Sequence, residues 1–235
     1  MKKERRKIYV KVSPEKNEVI YSGIEFAEFI QYLTQPIDNL LLLKGDYFGN
    51  RCEHNFELLE GREIVEKLTR EDVHNFGDFC FVDYISPQKV NDLSEEQIAE
   101  LLYLGHMFRP LRSPFLEQLH NKFVYLAHDN GWYCKLYCRN LSDFITVLCK
   151  KITANIPIKN MCEPSDDVKE KMLELAKDGL LIDLNDLSRK SENVEIKFYI
   201  VGSYSDMDTI QNNFQQIRDN ALRVCSFKCN KNGWE

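Results

Sequence analysis

The chain has 235 residues, with 31 basic and 37 acidic side chains and a formal net charge of −6. That acidic balance argues against a general nucleic-acid binder. A 43% hydrophobic content with only ten Gly and seven Pro excludes a disordered or low-complexity chain, and at this length folding buries roughly 70% of the unfolded surface without help from metal or disulfide.

The start Met1-Lys2-Lys3-Glu4-Arg5-Arg6-Lys7 is basic, but the alternating stretch Ile8-Tyr9-Val10-Lys11-Val12 follows it, which is unlike a secretory leader. A frayed, solvated terminus accounts for these charges. The longest aliphatic run, Leu40 to Leu43, falls far short of the roughly 20 residues that span a bilayer. Eight cysteines sit mostly in apolar stretches, the setting of buried reduced thiols. These features predict a reduced, cytoplasmic chain.

In chain order, Ile8, Val10 and Val12 alternate as a half-buried strand, Pro14 to Asn17 turns, and Glu18 to Tyr21 returns. Phe26, Phe29, Ile30 and Leu33 mark one face of a helix that must stop before Pro36. Leu40 to Lys44 reads as a buried strand and Gly45 to Asn50 as a loop. A short helix near Arg62 to Thr69 and a strand from Asp78 to Tyr84 follow.

Ser94 and Gln97 form a capping box, with Leu93 and Ile98 as its staple, and predict a helix ending by Arg109. Its buried face is Ile98, Leu101, Leu102 and Gly105. Lys122 to His128 and Trp132 to Cys138 flank Asn130-Gly131, the pair favoured in type I′ hairpin turns. That turn pairs His128 with Tyr133, Leu126 with Lys135 and Val124 with Tyr137. Phe123, Tyr125, Ala127, Trp132, Cys134, Leu136 and Cys138 form the core face. Helices follow around Phe144 to Ile152 and from Ser165 to Lys177, ending at Gly179. Val194 to Ile200 alternates as a strand, Ser205 caps a helix carrying Ile210, Phe214 and Ile217, and Leu222 to Phe227 is a last strand.

The expected fold is α+β, with short antiparallel strands and hairpins packed with several α-helices. We expect a single domain over 1–235, with residues 85–92 as the place for any split into two lobes.

Familiar catalytic motifs are absent: no Gly-rich phosphate loop, no G-x-S-x-G elbow, no H-E-x-x-H and no C-x-x-C. Cys134 and Cys138 share a strand face about 13 Å apart and cannot share an ion. Asp206 and Asp208 are explained by the start of a helix. No metal and no cofactor is expected.

Two constellations remain. In Gly105 to Pro114, Arg109 and Arg112 can clamp a phosphate or carboxylate, and His106 stands beside them. The plainer role for that segment is a connector whose arginines pair with nearby acids. On the hairpin, His128, Tyr133 and Lys135 share a face and can serve acid–base work; the plainer role is a covered sheet face. Charge is uneven, with 13 acids and 4 bases from Glu53 to Glu100, and 8 bases and 4 acids from Leu101 to Glu163.

The leading expectation is a non-catalytic binding or regulatory module with a protein partner. The alternative is an enzyme on a small anionic substrate, with Arg109 and Arg112 as clamp and His106 or His128 as acid or base.

Overall fold

A computed structural model describes residues 6–48, 51–70, 79–106, 108–128, 133–156, 163–190, 193–204 and 207–234. The elements run β1 (Lys7–Ser13), β2 (Glu18–Ser22), α1 (Phe26–Tyr32), β3 (Asn39–Phe48), β4 (Arg51–Glu60), α2 (Arg62–Arg70), β5 (Phe79–Asp83), α3 (Pro87–Asn91) and α4 (Glu95–Gly105). Then come β6 (Phe123–His128), β7 (Tyr133–Cys138), α5 (Leu141–Ala154), α6 (Asp166–Lys177), β8 (Leu180–Asp183), β9 (Ser188–Lys190), β10 (Asn193–Ile200), α7 (Met207–Asn212), α8 (Phe214–Asp219), β11 (Arg223–Asn230) and β12 (Gly233–Trp234). The chain divides into two compact units, one of residues 1–34 and 141–235, the other of residues 35–140. Residues 85–92 lie inside the second unit.

The first unit holds an antiparallel sheet in the order β12-β11-β10-β8-β1-β2, with β9 also paired to β10. Helix α6 packs on β1 and β8, α5 packs on α6, and α1 packs on α5. Ile8, Val10, Val12, Ile196 and Phe198 are wholly or almost wholly buried, as their alternation predicts, but Tyr9 on the other face of β1 is fully buried too, so β1 is covered more than a half-buried strand. Lys151 on α5 is buried and forms an ion pair with Glu28, which also closes the capping box of α1. Gly179 ends α6 with φ +77°, and a Cβ there would stand 1.8 Å from the Gly202 carbonyl oxygen. Only glycine permits that approach. The Tyr9 hydroxyl holds the same crossing, donating to the Gly202 carbonyl at 3.2 Å and accepting from the Tyr204 amide at 3.0 Å.

The second unit holds an antiparallel sheet in the order β7-β6-β5-β3-β4. The hairpin register pairs His128 with Tyr133, Leu126 with Lys135 and Val124 with Tyr137, as two-residue turn chemistry predicts; Asn130 and Gly131 themselves lie outside the described residues. Leu101 and Leu104 of α4, with Leu116 and Leu119 of the following segment, cover a face made of Leu41, Leu43, Cys80, Val82, Val124, Leu126 and Tyr137. Phe123, Tyr125, Ala127, Cys134, Leu136 and Cys138 on the opposite face are buried too. Burying one such leucine contributes about 1.5–3 kcal/mol.

The fold is mixed α+β and sheet-rich, which corrects the expectation of short hairpins packed with helices. Strands β3 and β4 have ten residues each and pair along their whole length. The expected loop at Gly45 is strand through Phe48. Within α4, Leu101 and Leu104 are buried, whereas Ile98, Leu102 and Gly105 of the expected face are half-buried. Among the described residues no helix is long and apolar enough to cross a membrane, and the described cysteines other than Cys52 are free thiols.

Candidate functional site

Helix α4 starts where the sequence puts it, with the Ser94 hydroxyl accepting from the Gln97 amide at 3.2 Å and the Gln97 side chain accepting from the Ser94 amide at 2.9 Å. Glu96, Glu100 and Tyr103 follow at i, i+4 and i+7, one stripe of the helix. The chain after Gly105 reverses and lies along that stripe. Phe108 stacks on Tyr103 with ring centroids 4.8 Å apart. The Arg112 guanidinium reaches Glu96 at 2.5 Å and Glu100 at 3.4 Å, and Gln97 donates to Gln118 at 2.6 Å. Residues 108–113 therefore form a strap fixed to the outer face of α4.

A buried polar knot anchors the far end of the strap. Asn121, with no exposed surface, accepts from the Leu116 amide at 2.8 Å and donates to the Pro114 carbonyl at 3.0 Å. The Asp83 carboxylate accepts from the amides of Lys122 and Phe123, each at 2.9 Å. Arg139 donates to the Asn121 carbonyl at 3.1 Å and its guanidinium lies 4.9 Å from the Phe115 ring. Burial pushes the Asp83 carboxyl up to about 6, against the pull of the Phe123 and Lys122 amides and the Lys122 charge.

Between these anchors the strap presents Phe108, 50% exposed, and Leu111, 67% exposed, with Arg109 exposed between them. Large apolar side chains held open on a fixed loop, around a cation, suit a partner offering an apolar pocket and a carboxylate.

The expected site residues fall as follows. His106 caps the C-terminus of α4, exposed, its ring 5.9 Å from that of Phe108. Arg109 lies on the strap; Arg112 is engaged by two carboxylates. His128 and Tyr133 pair at the end of the hairpin, and Lys135 is half-buried opposite Leu126. Gly105 sits against Leu43, which shares a register row with Cys80, Leu126 and Lys135. The sheet register thus sets His128 and Tyr133 two residues beyond the row under the C-terminus of α4. The structure joins His106, Phe108, Arg109 and Arg112 in one segment, and the hairpin residues form a separate group.

The sequence alone did not single out Phe108 and Leu111 as exposed apolar side chains, nor Asp83 and Asn121 as anchors. A single acid closing the apolar run Phe79-Cys80-Phe81-Val82 is the signal for Asp83. Asn121 carries no such signal. No family model, curated protein or solved structure matches the chain.

Proposed function

We propose that this chain is a non-catalytic binding module for another protein, and that the strap 108–112 is its contact surface. The observation that carries the reading is the exposure of Phe108 and Leu111 on a loop pinned by Tyr103 and by the Arg112 pairs with Glu96 and Glu100. A surface ordered before contact loses less conformational entropy on binding. Arg109 supplies charge complementarity to an acidic rim. Two carboxylates on Arg112 weigh against the alternative anion clamp, since a substrate phosphate would have to displace both.

Native mass spectrometry of the protein purified gently from its own host tests the reading. Wild type should carry a second polypeptide, and a Phe108→Ser, Leu111→Ser double variant should lose it while keeping its fold. Equal recovery of the polypeptide on both proteins would reject the strap as the contact.

A further inference from the structure

We propose that the free edge of β11 in the first unit binds an acidic, extended segment of a partner protein as an added antiparallel strand. Strand β11 has eight residues, and β12 pairs only with Cys229 and Asn230. Among the described residues no strand pairs with residues 223–228 on that side. A strand edge left open presents a row of backbone donors and acceptors that template another strand. The side chains there are open as well. Leu222 is 79% exposed and Val224 53%, and Arg223, Ser226 and Lys228 are exposed.

Charge selects the occupant. Arg223 and Lys228 lie on the strand, and exposed Lys171 of α6 holds its ammonium 5.1 Å from the centre of the Phe227 ring. Among the described residues none of these three cations has an ion-pair partner; Glu195 stands opposite Lys228 in the register without reaching it. Other cations of the same unit are paired, Lys177 with Glu174, Lys197 with Asp186 and Arg218 with Asp183. A second copy docked on the same edge would bring the unpaired cations together. An acidic strand neutralises them.

Strand β12 sets the direction and the register. It runs antiparallel to β11, so a strand continuing its line meets Phe227, Ser226, Cys225, Val224 and Arg223 in turn. Side chains alternate, so the residue opposite Phe227 lies on the face that holds Phe227 and Trp234. Trp234 is 7% exposed, its ring lies 6.5 Å from that of Phe227, and its buried indole N–H has no acceptor. A carboxylate opposite Phe227 stands beside the Lys171 ammonium and supplies an acceptor next to that indole. A second carboxylate belongs opposite Arg223, and an aliphatic side chain opposite exposed Val224.

The probe is the end-capped, fluorescently labelled peptide Ser-Glu-Thr-Val-Ile-Glu-Ser, whose two Glu fall opposite Phe227 and Arg223 and whose Ile falls opposite Val224. It is titrated into the reduced full-length protein by anisotropy, and alkylation of Cys225 is followed by mass spectrometry. Cys225 is half-exposed while the other described thiols are buried, so a strand laid across it slows its reaction. We expect saturable binding with protection of Cys225. Lys171→Ala and Arg223→Ala should each weaken binding about threefold, as loss of a cross-strand pair does. Val224→Asp should weaken it at least about tenfold, since a charge then faces the Ile. Trp234→Phe keeps a ring and removes the N–H, and should also weaken binding. Arg223 and Val224 are surface positions, so their variants read the edge with the fold intact. No saturation and no protection of Cys225 at millimolar peptide would overturn the proposal. So would equal binding of the peptide with both Glu replaced by Lys, or affinity unchanged by Lys171→Ala, Arg223→Ala and Val224→Asp. Neither result bears on the strap, which lies in the other unit.

Discussion

Arg112 and Glu96, sixteen residues apart in the chain, meet at 2.5 Å, with Glu100 on the same guanidinium at 3.4 Å. Their meeting turns a helix stripe into a bed for the strap, with Phe108 lying half-exposed on Tyr103 and Leu111 exposed. The ion pairs are exposed, so they order the strap more than they stabilise the fold.

Arg112→Ala should therefore cost only about 0–1 kcal/mol of global stability. Amide hydrogen exchange over residues 108–113 should nonetheless speed up, with α4 unchanged. Unaltered exchange in the strap would show that Phe108 and Tyr103 hold it alone.

Asp83 gives the folded state a pH dependence. Its carboxyl titrates near 6 in the folded chain, against an ordinary value of 3.8, so the folded state binds the proton more tightly than the unfolded state. Stability from this group is fully present below about pH 4 and is lost as pH rises through about 6, a difference of about 3 kcal/mol. Asp83→Asn does not titrate, and its amide oxygen can still accept from Lys122 and Phe123. Thermal melts should show the variant gaining on wild type between these pH values; a constant gap from pH 4 to 7 would mean that Asp83 titrates as an exposed acid.

Asn121→Ala removes the acceptor for the Leu116 amide and the donor to the Pro114 carbonyl, both inside the protein. Unpaired buried groups make this expensive, about 2–4 kcal/mol. Urea unfolding reads the loss directly. A loss under about 1 kcal/mol would mean that water replaces the side chain.

Gly179 and Gly202 form a matched contrast. Both have positive φ, but a Cβ at Gly179 meets the Gly202 carbonyl at 1.8 Å, whereas one at Gly202 has nothing within 4 Å. Gly202→Ala should cost about 1 kcal/mol, from backbone conformation alone. Gly179→Ala should cost several times that or prevent folding, because backbone cannot yield as a side chain does. Comparable melting temperatures for the two variants would contradict the close crossing.

Local rules made much of the fold legible. Alternation located β1 and β10, the Pro14–Asn17 turn returned the chain as β2, the Asn130-Gly131 pair fixed the β6–β7 register, and the Ser94–Gln97 box placed the start of α4. Strand β4 escaped although Cys52, His54, Phe56 and Leu58 alternate with Arg51, Glu53, Asn55 and Glu57, because the alternating set holds few strongly apolar residues and Leu58-Leu59 breaks the period; it pairs with β3 along its whole length. Strand β8, four buried residues between α6 and β9, is too short to show a period of two. The sequence marks the segment around Arg109 and Arg112 only by its charge and its prolines. It could not show that Arg112 turns back onto Glu96 and Glu100, because that depends on where the chain reverses after Gly105. Nor could it show which apolar side chains stay outside once the core is full.

Photo-crosslinking in the host reads whether another protein docks on the strap. A benzophenone amino acid would replace Leu111 in one protein and the exposed Glu15 in another. A discrete protein adduct at position 111, absent at position 15 and lost when Phe108→Ser is added, is the predicted result. No adduct at 111, or the same adducts at both positions, would mean that the strap is not where a partner docks.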